Sequence, residues 1–238
     1  MNNLLSSVRT VGFICPMDCE LDAVVRLFDE KRTVRYASMD FYTGKIAGHD
    51  AVAVKCGVGK VFAAMAAQAM ILGFSPDLVV NTGVAGNLSS ALSIGDIVVS
   101  TAVVQHDMDT SPLGDPVGLI SGINKVYLES DAAAADLMCR ALDTLGIRYV
   151  RGVVASGDQF VASNGQRERI VAAFDAACCE MEGAAVGQVC YAGGVPFLVL
   201  RALSDDANGN SPDDFPAYCV KVSEQSSRAI AAFMASLP

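Results

Sequence analysis

The chain has 238 residues, 52% of them hydrophobic, with Lys+Arg 17 against Asp+Glu 26 and a formal net charge of -9. That length and apolar content suit a sizeable core and exclude fibrous, collagenous and disordered classes. The acidic balance repels phosphate backbones and argues against nucleic-acid binding, while the longest nearly apolar stretch, Val61 to Phe74, contains Gln68 and falls short of the ~20 residues of a spanning helix.

Apolar β-branched runs alternate with helical patterns, and no Pro/Ser-rich linker or charge block interrupts them. Residues 1–238 therefore read as a single domain, with 1–10 as a loosely ordered extension. Val11 to Cys15 predicts a short buried strand, followed by a helix over Cys19 to Phe28 with Leu21, Val24, Val25 and Phe28 at helical spacing. Asp40 to Ile46 and Asp50 to Cys56 predict a hairpin around Ala47-Gly48-His49. The Ala- and Met-rich segment Val61 to Leu72 predicts a buried helix, and Asp77 to Thr82 and Asp96 to Val104 two strands. Gln105 to Asn124, carrying Pro112 and Pro116, reads as a long irregular loop. The remainder predicts a helix over Ala132 to Leu145, a strand over Tyr149 to Ser156 and a helix over Asn164 to Phe174. A strand over Cys178 to Met181, a helix over Glu182 to Cys190, a strand over Pro196 to Leu203 and an amphipathic helix over Ala217 to Ser236 complete it. This alternation predicts an α/β fold: a three-layer α/β/α sandwich with a mixed, mostly parallel central sheet.

In such sheets ligands bind beyond the carboxyl ends of the strands. Five corners stand there: Pro16 to Glu20, Asn81 to Asn87, Ser156 to Phe160, Glu180 to Gly183 and Arg201 to Asp206, and four of them carry a carboxylate. Taken singly, each acid reads as a helix cap. Together, converging carboxylates raise one another's pKa, a cost that proteins keep for function. Gly57-Val58-Gly59-Lys60 fails the phosphate-loop pattern because Val54 stands where a glycine is needed, and Phe62 breaks the dinucleotide pattern, so neither ATP nor NAD is supported. Gly57 and Gly59 read instead as a tight turn with positive φ, and the small residues Gly83 to Gly86 let backbone approach a ligand. With only His49 and His106, a hydrolase triad has no support, and His106-Asp107 reads as structural. The eight cysteines show no Cys-x-x-Cys spacing and mostly sit in apolar runs, which implies buried thiols in a reducing compartment. No export signal precedes them, so the expected location is the cytoplasm.

Taken in order, Met17-x-x-Glu20, Cys56 to Val61, Asn81-Thr82-Gly83-x-Ala85-Gly86, Gly95 to Val98, His106-Asp107, Ser156-Gly157-Asp158-x-Phe160, Glu180-Met181-Glu182 and Arg201-x-x-Ser204-Asp205 resemble the nucleoside phosphorylase and nucleosidase superfamily. The likeness is strongest to its 5′-methylthioadenosine/S-adenosylhomocysteine nucleosidases and runs from about Val11 to Ser227. It implies a nucleoside phosphorylase-like fold and hydrolysis of an adenine N-glycosidic bond through an oxocarbenium-like transition state, with no cofactor and no metal. By this resemblance Asp205 protonates adenine N7, Ser204 orients it, and Glu20 activates the water. Such an acid has to hold its proton near neutral pH, whereas Glu20 has to be ionised. Glu182 matches the glutamate that binds ribose hydroxyls, within the Glu180-Met181-Glu182 motif. Phe160 matches the ring stacked on adenine and the backbone of Val161 the groups reading its edge, while Met17, Val58 and Met181 would line the ribose and alkylthio pocket. Val84 stands where many members have serine. The segment Asp206 to Pro216 corresponds to a lid, with Phe215 as its aromatic residue. Both leave the 5′-substituent open.

The loop around Leu113 matches a region that closes a partner subunit's pocket, so a homodimer binding a small adenine nucleoside is expected. The Val61 to Leu72 helix is a candidate interface, although its composition equally suits a monomer's core. Two alternatives stand. A phosphorylase of the same fold would need arginines for phosphate, and Glu20 would repel that anion. A non-catalytic nucleoside binder would gain little from three converging acids.

Overall fold

The computed structural model describes Leu5 and residues 8–207 and 215–238, the side chain of Phe215 excepted. The chain opens with β1 (Thr10–Cys15), α1 (Asp18–Val25), β2 (Asp29–Tyr36), β3 (Met39–Ile46), β4 (His49–Lys55), α2 (Lys60–Phe74), β5 (Leu78–Asn87) and β6 (Ile97–Gln105). The loop 106–124 that follows holds a 3-10 turn at Ser111–Leu113 and a single antiparallel bridge from Ile120 to Lys125. Then come β7 (Leu128–Glu129), α3 (Ala132–Leu145), β8 (Tyr149–Ser156), α4 (Asn164–Phe174), β9 (Ala176–Glu180), α5 (Gly183–Gly193), β10 (Phe197–Asp205) and α6 (Phe215–Ala235).

Local chemistry sets several boundaries. The Asp131 side chain accepts from Ala134 N to start α3, which stops at Gly146 with φ 64°. Ser163 does the same for α4 by accepting from Gln166 N. Gly57 and Gly59 turn the chain from β4 into α2 at φ 92° and 104°, in the region that glycine enters without strain. Strand β2, DEKRTVRY, is exposed along its whole length and carries no apolar alternation to reveal it. Its charges suit a sheet edge, where they discourage pairing with other chains.

The ten strands form one sheet. Pairing is parallel in β1–β4, β1–β5, β5–β10, β6–β8 and β8–β9. It is antiparallel in β2–β3, β3–β4, β5–β9, β6–β7 and β6–β10. The sheet is thus mixed, with as many antiparallel as parallel strand pairs. It is also not a flat middle layer, because β5 pairs with both β9 and β10, and β10 with β6, so β5, β9, β8, β6 and β10 close into a small barrel. Hydrophobic runs report that a strand is covered on both sides, as all nine residues of β10 are; they carry no information on strand direction or closure.

One apolar cluster gathers residues of α1, α3 and α6 against the sheet, and a second gathers α2 and α5. Leu5 and Val8 are buried in the first cluster, so this part of the 1–10 segment is packed rather than loose; residues 1–4, 6 and 7 lie outside the described residues. Helix α5 lies close on the barrel at Gly187, where an added Cβ would come within 2.8 Å of Val103 Cγ2 and 2.9 Å of Phe197. Gly187→Val is expected to destabilise the protein by about 2 kcal/mol through overpacking, read by denaturant unfolding. An unchanged midpoint would contradict this close packing.

Candidate active site

Closure of the barrel brings the ends of β5, β9 and β10 together. Gly86 of β5 lies opposite Asp205 of β10 and also opposite Cys179 of β9, while Ser156 at the end of β8 lies opposite Glu180. The turn after β1 adds Met17 and the first residues of α1.

Arg201 stands in the middle of this arrangement. It is 1% exposed and lies opposite Gly83 in the β5–β10 register. Its Nη2 pairs with Glu180 and Asn81 and reaches Glu182 Oε2 at 3.4 Å, and Nη1 donates to the Val84 carbonyl at 3.2 Å. Gly83 makes this possible: a Cβ there would come within 2.6 Å of Arg201 Nη1 and 2.7 Å of Glu20 Oε1.

Glu180 is held on every side. Its Oε2 accepts from the backbone N–H groups of Glu182 at 3.0 Å and Gly183 at 2.8 Å, and its Oε1 accepts from Ser156 Oγ. Ser156 Oγ in turn accepts from Ala184 N at 2.7 Å. These two side chains satisfy the free N–H groups at the start of α5, where helix dipoles favour negative charge. Both oxygens of Glu180 are therefore held in place.

Glu20 and Glu182 are held more lightly. Glu20 Oε2 accepts from Met17 N at 2.7 Å, which fixes the start of α1, and Oε1 accepts from Val84 N at 2.9 Å. Burial pushes its pKa up to about 7, opposed by Arg201 and those two N–H groups and reinforced by Glu182. Burial likewise raises Glu182, with Arg201 opposing and Glu180 reinforcing. Glu182 Oε1 accepts from Gly59 N at 2.9 Å, so the glycine turn before α2 positions a site carboxylate. The same turn is anchored by Lys60, whose Nζ lies 2.6 Å from Asp107 Oδ1 and whose N–H donates to Asp158 Oδ1 at 2.7 Å. His106 packs its ring on Gly157, where a Cβ would lie 2.4 Å from Nε2.

Asp205 is buried at the end of β10. Its Oδ2 accepts from Ser204 Oγ at 2.9 Å and its Oδ1 from Ala207 N at 2.9 Å. Glu20 was expected to be simply ionised, yet burial raises it.

A cavity of about 200 Å³ is lined by Glu20, Ser204, Asp205, Glu182, Glu180, Met181, Phe160, Val161, Met17, Val58 and Val84. Every site residue expected from the sequence is thus brought together except Leu113, which sits in the 3-10 turn, 83% exposed and away from the cavity. The lid falls mainly on residues 208–214 and the Phe215 side chain, outside the described residues. Pro16, Ala85, Gly86, Gln159, Cys179 and Arg201 complete the lining. Of these, Arg201 carried a signal, as the first residue of the Arg201-x-x-Ser204-Asp205 motif, but its place among the acids depends on strand pairing. Cys179 sits against Gly86, and burial raises its thiol to about 12. Among the described residues, Arg201 is the one cation in the lining, and four acids share its surroundings. Val58 and Phe160 of the lining are exposed, and so, along α2, are Val61, Phe62, Met65 and Leu72.

This fold and site are those of an enzyme of the phosphorylase superfamily: residues 10–235 match the family described as the Phosphorylase superfamily. A 5′-methylthioadenosine/S-adenosylhomocysteine nucleosidase of Shewanella halifaxensis is 35% identical over 229 residues, covering 95% of this chain and 99% of the relative. The crystal structure of the enzyme of that name from Neisseria meningitidis, in complex with methylthio-immucillin-A, superposes with a TM-score of 0.92 at 31% identity, covering 97% of this chain and 100% of the other. The futalosine hydrolase of Helicobacter pylori superposes with a TM-score of 0.90 at 32% identity, covering 95% and 97%. The chain belongs to the 5′-methylthioadenosine/S-adenosylhomocysteine nucleosidase family within that superfamily.

Two outcomes test the electrostatics. Arg201→Met leaves buried acids without their counter-ion and is expected to cost about 3–5 kcal/mol of stability; a loss below 1 kcal/mol would remove Arg201 from the centre of the site. Glu20 has a folded pKa of about 7, above the ordinary 4.5, so the native state holds a proton that the unfolded chain releases. Its contribution to stability is therefore complete below the unfolded value and lost as pH rises to the folded one. Glu20→Gln should flatten this fall between about pH 4.5 and 7 in denaturant melts, and an unaltered slope would contradict it.

Proposed function

We propose that this chain, acting as one domain, hydrolyses the N-glycosidic bond of adenine nucleosides of the 5′-methylthioadenosine and S-adenosylhomocysteine kind, releasing adenine and the 5-substituted ribose. The observation that carries this reading is the placement of Glu20 and Asp205, from separate elements, in one cavity with Glu182 and an apolar lining. Asp205, held by Ser204, gives a proton to adenine N7 as the bond from C1′ to N9 breaks and its electron pair passes to the base. Glu20 takes a proton from the water whose oxygen attacks C1′. Glu182 holds the ribose hydroxyls and offsets the positive charge that develops on the sugar. Phe160 stacks on the adenine ring, with the Val161 backbone at its edge and Met17, Val58 and Met181 around the ribose and its 5′-group.

Water is favoured over phosphate by charge. The guanidinium of Arg201 is engaged by Glu180, Glu182 and Asn81, so among the described lining residues an incoming phosphate would meet acids and no free cation. The exposed apolar residues of α2, together with Leu113, form the proposed homodimer contact, through which Leu113 reaches the partner's pocket.

Incubation with 5′-methylthioadenosine should release adenine at the same rate with and without phosphate. Release that requires phosphate would make the chain a phosphorylase, and no release from any adenine nucleoside would leave a binder. Asp205→Asn should lower kcat by at least a hundredfold, the scale of general acid catalysis, while binding persists. Because Glu20 titrates near pH 7 and acts when ionised, kcat/KM should rise with pH through that region. Undiminished turnover in Asp205→Asn would remove it from the acid role.

A further inference from the structure

Glu20 lines two spaces. One is the cavity; the other is a much smaller pocket of about 10 Å³, bounded by Glu20, Val24, Thr82, Gly83, Ser223, Ser226 and Ser227. That volume matches the room one water needs, and such a site requires two to four polar partners. Its three serines all come from α6. Ser226 is 4% exposed, and its Oγ has no protein hydrogen-bond partner. A buried hydroxyl left in that state is costly, and buried polar groups in native proteins are satisfied by protein or by water. Its neighbours retain capacity: Ser227 Oγ donates to the Glu224 carbonyl at 2.9 Å and can still accept, and each Glu20 oxygen receives a single backbone N–H.

We propose that this pocket holds one water that accepts from Ser226 Oγ and donates to the Glu20 carboxylate, making Ser226 a positioning residue for the base. The inference rests on the reading of Glu20 as the group that activates the attacking water. Its physical content is simple. A hydrogen bond donated to a carboxylate favours the ionised form, so the water behind Glu20 supports its charge from the side away from the substrate. The groups that face Glu20 from other elements are Arg201 of β10, Glu182 before α5, Cys15 of β1, Cys56 after β4 and Cys219 of α6, with Cys19 beside it on α1. All four thiols are raised and stay neutral through the range in question. Arg201 and Glu182 are the charges against which the water acts.

The test is the pH profile of kcat/KM for adenine release from 5′-methylthioadenosine by Ser226→Val, whose side chain fills the pocket. Its acid limb should move up by about one pH unit, so that kcat/KM at pH 6 falls about tenfold, with a smaller loss at pH 9. A limb that does not move, or an equal loss at every pH, overturns the proposal. Glu20→Gln serves as the control for the reading beneath it: wild-type turnover in that variant would remove Glu20 as the base, whatever Ser226→Val does. If Ser226→Val fails to fold, a crystal structure of the unaltered protein decides. An ordered water within hydrogen-bond distance of both Ser226 Oγ and Glu20 is expected, and a pocket without one contradicts the proposal.

Discussion

The site depends on one buried ion pair, between Arg201 and Glu180. Taking a guanidinium and a carboxylate out of water is costly, and the loss is offset only where geometry and further hydrogen bonds satisfy both groups. Here Glu180 is capped by the first N–H groups of α5 and by Ser156, and Arg201 is shared with Asn81, the Val84 carbonyl and Glu182. The fixed pair then acts as a scaffold for less tightly held acids. Glu20 and Glu182 both lie in its field, and Arg201 lowers each of them against the upward push of burial. Without that cation, two or more neighbouring carboxylates in a mostly apolar cavity would hold their protons well above neutral pH.

Barrel closure is what lets a single arginine serve so many partners. Strand β5 pairs with β10 along most of its length and with β9 at its end, which draws Asn81, Gly83, Glu180 and Arg201 into one place. Gly83 has no side chain in the space that Arg201 Nη1 and Glu20 Oε1 occupy. Helix α1 contributes Glu20 from its first turn, where the carboxylate also satisfies Met17 N. One residue therefore both fixes a helix start and faces the cavity.

Much of the fold is legible in the amino-acid order. Residues 132–145, 149–156 and 164–174 form the predicted elements with the predicted bounds, because Asp131 and Ser163 mark helix starts and the apolar runs between them are unambiguous. Strand β5 extends to Asn87 instead of stopping at Thr82, since Gly83 to Gly86 read locally as a turn, while pairing to β10 and β9 keeps them extended. Strand β2 has no pattern to betray it, and β7, two residues long, has no room for one. At the site, the corner acids are visible as residues, but the contacts that hold each of them are not. That Arg201 reaches Glu182, that Val84 N holds Glu20 and that Gly59 N holds Glu182 follow from contacts between residues 19, 64 and 123 positions apart, to which local pattern is blind.

The central claim is that these acids direct water, and not phosphate, to the sugar. Turnover of 5′-methylthioadenosine in ¹⁸O-enriched water containing inorganic phosphate, followed by mass spectrometry of the sugar product, tests it most directly. The account predicts a free 5-methylthioribose that carries ¹⁸O at C1. A sugar 1-phosphate with no label from the solvent would contradict it.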